Sequence, residues 1–320
     1  MIKIGIDIGA TKTVIAVLDE EGNLHTFRKL PSAKLLSVKE NAVDSIQSFI
    51  DEYISEEAIN RSAILGIGIG VPAVLDSHTK EIVSCPNLPG LDRLPLSILL
   101  SPKIGYPVFV ENDVNLIALG EHSFGRGRGI DDLACIFVGS GLGCGLILRG
   151  ELYTGADGAA AEFGHIIFRP EGKICGCGGQ GCIEMYCAGR GLTLAASEIL
   201  DPSVIEAEKS SIGHSKWSLA RKVIEEAHSG NTKARNAMNK AFYDLGLATA
   251  TLVNILNPRL IILGGGIVAG WPDGLQIVRD TVHARARAVA RDRLEVDFSE
   301  LGDKAGLYGA GRLVELELDK

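Results

Sequence analysis

Three cysteines fall within eight residues in Cys175-Gly-Cys177-Gly-Gly-Gln-Gly-Cys182, and His165 lies ten residues before the first. Four soft nitrogen and sulfur donors complete a tetrahedral zinc shell with no position left for water, so the metal they predict is structural and not catalytic. The glycines between the thiols let the backbone turn tightly round a small ion. The competing readings are a loop of free thiols and a redox pair. Redox pairs usually read Cys-x-x-Cys, whereas the spacings here are Cys-x-Cys and Cys-x4-Cys. Glu162 stands three residues before His165, and Glu184 two after Cys182. A metal that pins this loop fixes both carboxylates, and a histidine that gives one ring nitrogen to the ion can only donate with the other. The stretch reads as a platform for hydrogen-bonding a polar ligand.

Two glycine-containing turns suggest where a phosphorylated ligand could sit. Asp7-Ile-Gly9-Ala-Thr11-Lys12-Thr13 lies between the apolar runs 2–7 and 13–18, as the tip of a hairpin. Exposed backbone N–H groups, the Thr11 hydroxyl and the Lys12 charge are the parts of a phosphate cradle. Asp7 at the strand end could hold Mg²⁺ through water, since magnesium favours one or two carboxylates plus phosphate oxygens. It is not a P-loop, because Gly-x4-Gly-Lys-Ser/Thr is missing and a strand follows; an ordinary surface hairpin is the alternative. Gly139-Ser140-Gly141-Leu-Gly143, between strands at 133–138 and 144–148, repeats the plan. On spacing alone a second phosphate loop and a plain glycine-rich hairpin are equally open. Gly264-Gly265-Gly266 follows a strand at 259–263, where a flat ligand could approach the backbone or the chain could simply turn. Asn112-Asp113 ends a strand at 108–110 and opens a helix at 114–122. Asp113 could take the proton of a hydroxyl nucleophile, although on this stretch alone a helix N-cap is the stronger reading.

The elements that must hold these residues alternate between strand and helix, an α/β pattern. A capping box at 37–40 precedes a helix to 54, and Ala63–Gly70 is a strand. Helices follow at 216–228, at 234–256 (stopped by Asn257-Pro258), at 273–291 and at 306–316, with a strand at 294–298. A chain of 320 residues with 46% hydrophobic content suits two domains. The two strand–turn–strand units suggest domains of similar plan, with the crossover at the helix after Asp113. A net charge of −8 argues against nucleic acid. Asp7 arrives too early for a secretory signal, and no apolar run is long enough for a membrane span. Seven cysteines, three of them clustered, suit a reducing cytoplasm better than a disulfide framework.

Together these motifs resemble the ROK family (repressor, open reading frame, kinase) of the actin-like sugar-kinase superfamily. The markers stand in family order: Asp7-Ile-Gly-Ala-Thr-Lys-Thr, Glu111-Asn-Asp-Val-Asn115, Gly139-Ser-Gly-Leu-Gly143, Glu162-Phe-Gly-His165, the run from Cys175 to Glu184, and Leu263-Gly-Gly-Gly266. The resemblance covers nearly the whole chain, and its cysteine motif is highly specific. It implies two actin-like (ribonuclease H-like) α/β domains around a cleft, residues 1–114 plus 303–320 and residues 115–302, the second with the structural zinc loop. These domains would close over sugar and ATP.

By the same resemblance, Asp113 matches the catalytic base. Asn112, Glu162, His165 and Glu184 match the residues that hydrogen-bond the sugar hydroxyls. Asp7, Gly9, Thr11 and Lys12, then Gly139, Ser140, Gly141 and Gly143, then Gly264, Gly265 and Gly266 match the nucleotide-binding motifs. His165, Cys175, Cys177 and Cys182 match the zinc ligands. Ala10 stands where the family often has Gly, and Cys187 where small residues such as Ser are common; neither removes a functional group. The implied activity is ATP- and Mg²⁺-dependent phosphorylation of a hexose at its primary 6-hydroxyl, with glucose first and N-acetylglucosamine second, in a homodimer or homotetramer. Some relatives accept polyphosphate as donor. A non-catalytic sugar sensor is the alternative, but the family's repressors carry an N-terminal helix-turn-helix, whereas here the kinase hairpin starts at Ile2.

Overall fold

The computed structural model describes residues 1–35, 42–85, 87–210 and 218–320. The capping box at 37–40, Trp217 and the first two residues of the helix read at 216–228 lie outside them. In chain order, the first strands are β1 (Ile2–Ile8), β2 (Lys12–Leu18) and β3 (Leu24–Pro31). Next come α1 (Ser32–Leu35), α2 (Ala42–Glu56), β4 (Ile64–Val71), β5 (Val74–Leu75), β6 (Ile82–Ser84), α3 (Leu96–Ile104), β7 (Val108–Asn112) and α4 (Asp113–Phe124). Then follow β8 (Leu133–Val138), β9 (Leu142–Leu148), β10 (Glu151–Leu152), α5 (Glu184–Cys187), α6 (Gly189–Ile199), α7 (Pro202–Lys209), α8 (Ser218–His228) and α9 (Thr232–Leu256). The chain closes with β11 (Leu260–Gly264), α10 (Gly266–Gly270), α11 (Gly274–Arg285), α12 (Ala288–Arg291), β12 (Glu295–Phe298) and α13 (Ala305–Leu318).

β-Branched runs make the first sheet. β1 pairs antiparallel with β2 and parallel with β4, and β4 pairs parallel with β7, in the order β3-β2-β1-β4-β7. The second sheet follows the same order, β10-β9-β8-β11-β12, with β11 parallel to both β8 and β12. The echo between the two glycine turns is therefore an echo of whole sheets, as expected of two actin-like halves. Ile46, Phe49, Ile50, Tyr53 and Ile54 of α2 are buried in one core with Ile4, Ile6, Ile67 and Ile69 of the sheet.

Two compact units result. The first comprises Met1–Asp131, Gly145–Ala161 and Glu300–Lys320, and the second Asp132–Cys144 and Glu162–Ser299. The sequence reading sets the divisions after 114 and before 303. As folded, α4 stays whole in the first unit, and the later half of β9 goes with it. A methyl group placed on Gly145 would lie 2.6 Å from the Val114 carbonyl oxygen, so β9 runs hard against α4 there.

The long helix α9 starts at its Asn231 cap and stops at Asn257, which is left-handed (φ 50°) ahead of Pro258. The segment 273–291, expected as one helix, is instead two. It breaks at Ala286–Arg287, where the Arg287 amide donates to the Asn254 side chain (2.8 Å) in place of a helical carbonyl. No glycine or proline marks that break.

Glycines set how closely α13 packs. A methyl on Gly309 would lie 1.7 Å from Leu116 O of α4, one on Gly120 2.1 Å from Ala305 O, and one on Gly68 of β4 2.1 Å from Ala310 O. Backbone meets backbone at all three points, and there is no flexible side chain to move aside. Gly309→Ala is therefore expected to cost about 3 kcal/mol, read from urea unfolding, as overpacking of a close contact. Gly90, whose methyl would meet nothing within 4 Å, is the control, and Gly90→Ala should stay within about 0.5 kcal/mol of the parent.

Candidate functional site

In the first unit the register aligns the ends of three parallel strands: Asp7 sits opposite Gly70, Gly70 opposite Glu111, and Val71 opposite Asn112. The carboxyl ends of parallel strands are where open α/β sheets bind ligands. A methyl on Gly70 would lie 3.6 Å from Asp113 Cα and 3.7 Å from Asp7 Oδ1, so these two residues flank one small gap. Burial and the nearby Asp113 charge push the Asp7 carboxyl up to about 7, while Lys12 pulls the other way.

Asn112 is the N-cap of α4. Its Oδ1 accepts from the amides of Val114 (2.9 Å) and Asn115 (3.1 Å), and its Nδ2 donates to Ala73 O (3.1 Å). A side-chain amide has two hydrogens to give, so capping and donation to a ligand are compatible here. Asp113 is the first helical residue. Asn112 takes the N-cap position, and Asp113 Oδ1 also accepts the Val114 amide (2.9 Å).

The hairpin tip is braced by a residue that carries no sequence signal. Ser32, fully buried, donates through Oγ to Gly9 O (2.6 Å) and lies 2.9 Å from Thr13 Oγ1, and its amide donates to Thr11 O (3.1 Å). Lys12 Nζ is paired with Asp303 Oδ2 at 2.6 Å, just ahead of α13.

The second unit holds the metal-type cluster. One donor atom from each of His165, Cys175, Cys177 and Cys182 lies within 4.8 Å of all the others. Cys177 Sγ and Cys182 Sγ are 3.7 Å apart, and Cys175 Sγ is 3.7 Å from His165 Nδ1. A tetrahedral zinc with bonds near 2.3 Å to sulfur and 2.0–2.1 Å to nitrogen requires edges of about 3.8 and 3.6 Å. The donor set fits zinc, and all seven cysteines are free thiols. The Gly179 amide donates to Cys177 Sγ (3.4 Å), the kind of outer contact that steadies a thiolate ligand. Gly178 and Gly181 take φ of +91° and +81°, and a methyl on Gly181 would lie 1.8 Å from Arg169 O, so the knuckle needs both glycines. The four remaining cysteines are buried and play no part in the cluster; burial pushes the Cys85 and Cys144 thiols up to about 12.

His165 faces two ways. With Nδ1 turned to the thiols, its Nε2 lies 3.8 Å from Glu162 Oε2. Glu184 is buried and opens α5; its Oε2 accepts the Leu142 amide (3.1 Å), and its Oε1 lies 3.4 Å from Arg190 Nη1. Glu184 thus ties the platform to the Gly139–Gly143 turn, a link that the spacing does not show. Gly264–Gly266 comes to the same strand ends, since Gly264 pairs with Phe137 and a methyl on Gly265 would lie 2.5 Å from Val138 O. Methyls on Gly139 and Gly266 would meet nothing within 4 Å, which leaves room over both turns.

Asp7, Gly9, Thr11, Lys12, Asn112 and Asp113 fall in the first unit. Gly139, Ser140, Gly141, Gly143, Glu162, His165, the three metal-type cysteines, Glu184 and Gly264–Gly266 fall in the second.

The model of the ROK family matches residues 3–317. The chain belongs to the ROK family. A glucokinase of Streptomyces coelicolor is 34% identical over 318 residues, covering 97% of this chain and 96% of that one. The xylose repressor of Bacillus subtilis is 28% identical over 313 residues, covering 97% of this chain and 76% of its own. Among solved structures, a ROK family glucokinase from Streptomyces griseus in complex with glucose and AMPPNP superposes with a TM-score of 0.82. It is 32% identical and covers 99% of this chain and 100% of that one. Among the described residues no helix is long and apolar enough to cross a membrane.

Three outcomes are expected of this geometry. The purified protein should carry one zinc per chain, measured by mass spectrometry of the metal, and Cys177→Ser should lose most of it. In the protein without magnesium, the Asp7 carboxyl should titrate near 7 by carbon NMR, and Asp113→Asn should lower that value by removing a neighbouring charge. The sign for stability is also set. The native state keeps a proton that the unfolded chain releases near 3.8, so Asp7 favours the fold at low pH and loses that contribution as pH rises to about 7. Asp7→Asn should flatten stability against pH across that window.

Proposed function

We propose that this chain is an ATP-dependent hexose kinase that phosphorylates the primary 6-hydroxyl of its sugar, with glucose ahead of N-acetylglucosamine. The observation that carries this reading is the end-to-end likeness to a glucokinase solved with glucose and AMPPNP. The local chemistry agrees: a carboxylate stands at the β7–α4 junction, and the second unit offers a set of hydroxyl-binding groups.

Each residue has a definite task. Asp113 orients the 6-hydroxyl and takes its proton as that oxygen bonds to the γ-phosphorus and the bond to ADP breaks. Glu162 and Glu184 accept from sugar hydroxyls, and Asn112 donates. With Nδ1 on the metal, His165 donates through Nε2–H. Lys12, the Thr11 hydroxyl and the amides of the Gly9 turn hold phosphoryl oxygens, and the Gly139–Gly143 turn adds backbone donors. Gly264–Gly266 gives the adenosine a flat approach. Asp7 would hold magnesium, and that ion would supply charge neutralisation on the phosphates. Most of the rate comes from positioning and charge stabilisation, with the base a smaller part. His165, Cys175, Cys177 and Cys182 would hold a zinc ion that keeps the platform in shape and takes no part in the reaction. By the family resemblance the kinase assembles as a homodimer or homotetramer.

The test is ADP release from Mg-ATP with glucose, N-acetylglucosamine, N-acetylmannosamine, fructose and allose. One sugar should drive turnover. Asp113→Ala should lower turnover about 10²- to 10⁴-fold with near-normal sugar binding by calorimetry. Unchanged turnover in that variant would sink the assignment of the base. The likeness to a xylose repressor keeps one other reading alive, and sugar binding without ADP release from any of the five would select that sensor.

A further inference from the structure

Arg190 has no part in the roles above, yet it joins three of the pieces they use. Its amide donates to Ser140 O (2.9 Å), beside the Gly189 amide donating to Gly139 O (2.9 Å), so the start of α6 is bonded directly to the glycine turn. Its Nη1 lies 3.4 Å from Glu184 Oε1. Its guanidinium also lies against the metal knuckle, where a methyl on Gly176 would come within 2.0 Å of Nη1. The other Glu184 oxygen accepts the Leu142 amide of the same turn, and Oε1 sits 3.7 Å from Cys175 Sγ.

The segment from Glu184 to Arg190 therefore closes a short loop of contacts: the turn to the carboxylate, the carboxylate to the guanidinium, and the Arg190 backbone amide back to the turn. A methyl on Gly191 would lie 2.3 Å from Met185 O, so this loop has little room to shift without its partners. Glu184 is only 6% exposed, so the direction of its carboxylate is set by the groups packed against it, the Leu142 amide and the Arg190 guanidinium. A guanidinium is a rigid fork that sets direction as well as charge.

We propose that Arg190 is a positioning residue that couples the nucleotide turn to the sugar platform through Glu184, so that sugar and nucleotide each bind more tightly when the other is present. When a nucleotide settles the Gly139–Gly143 turn, it settles the Leu142 amide and the Ser140 carbonyl, and through them the Glu184–Arg190 pair. A sugar held by Glu184 settles the same pair from the other side. Reciprocity of the two effects is required by linkage. This inference rests on the kinase reading, in which Glu184 binds sugar and the turn binds nucleotide. The backbone bonds of residues 189 and 190 survive any change of the Arg190 side chain, so substitution isolates the guanidinium.

The experiment measures glucose affinity by calorimetry with and without Mg-AMPPNP, in the zinc-loaded full chain. The wild type should show tighter glucose binding with nucleotide by a factor of about 5 to 150. Arg190→Met should bring that factor close to one and raise the KM for glucose more than it lowers kcat, with zinc content unchanged. Arg190→Lys, which restores charge without the fork, should recover part of the coupling. A wild type that turns over glucose yet shows no coupling, or an Arg190→Met variant that keeps the full factor, overturns the proposal. If Arg190→Met fails to retain zinc, Arg190→Gln decides by the same factor, since it keeps a polar head over Gly176 without the charge. Failure of the underlying reading looks different: the wild type would release no ADP with any sugar.

Discussion

The first unit depends on the approach of α13 to α4 and to the strands beneath it. Bare glycine backbone at residues 68, 120 and 309 lets the last helix of the chain lie against elements formed far earlier in the sequence. Glu121, fully buried, secures the same junction: its carboxylate accepts the amides of Arg126 (3.0 Å) and Leu301 (3.0 Å). A buried carboxylate satisfied by backbone donors is rigid. The segment after Leu301 is thereby placed, including Asp303 beside Lys12 and Gly306 beside Asp7, whose Oδ2 lies 3.4 Å from where a methyl on Gly306 would stand. The geometry round the proposed base and phosphate turn is thus set by helix packing together with the Ser32 brace at the hairpin tip.

The second unit solves the same problem by another means. Residues 162–184 carry only short helical turns and two isolated strand bridges, Ile167–Cys182 and Ile174–Gln180. So little regular structure buries too little apolar surface to offset the chain entropy of ordering it. A metal ion on the four converging donors would add folding free energy to the loop it closes. Ion pairing extends the anchorage: buried Asp244 of α9 pairs with Lys240 (2.9 Å) and reaches Arg169 (3.3 Å), whose guanidinium stacks over Tyr186 at 4.6 Å.

Much of this is legible in the chain because it is local. Asp7–Thr13 and Gly139–Gly143 sit in hairpins, as their flanking apolar runs indicate. The cysteine spacing marks a real four-donor cluster, and Asn257-Pro258 ends α9 where expected. The features that escape a sequence reading are held by partners distant in the chain. Ser32 braces the first turn, Asp303 pairs with Lys12 across most of the chain, and Arg190 reaches back to Ser140. The break at Ala286–Arg287 answers to Asn254 on another helix, and periodicity within 273–291 has no means of reporting it. The motif at Asn112 speaks for a ligand role, although the side-chain oxygen is already committed to the helix it caps. The unit boundary differs from expectation for a similar reason, since it tracks the packing of α4 and not the end of a motif.

One open side gives the four-donor cluster a clock. Cys175 and Cys182 are buried, at 4% and 2% exposure, but Cys177 is open to solvent. An ion held by these donors would be open to a competing thiol or chelator on the side of Cys177 and of the partly exposed His165. The working lifetime of a metal-loaded loop would then follow ligand exchange on that open side, apart from how slowly the rest of the molecule unfolds. Two metal-loaded preparations with identical thermal midpoints would then age at different speeds, according to the traces of chelator and oxidant each has met.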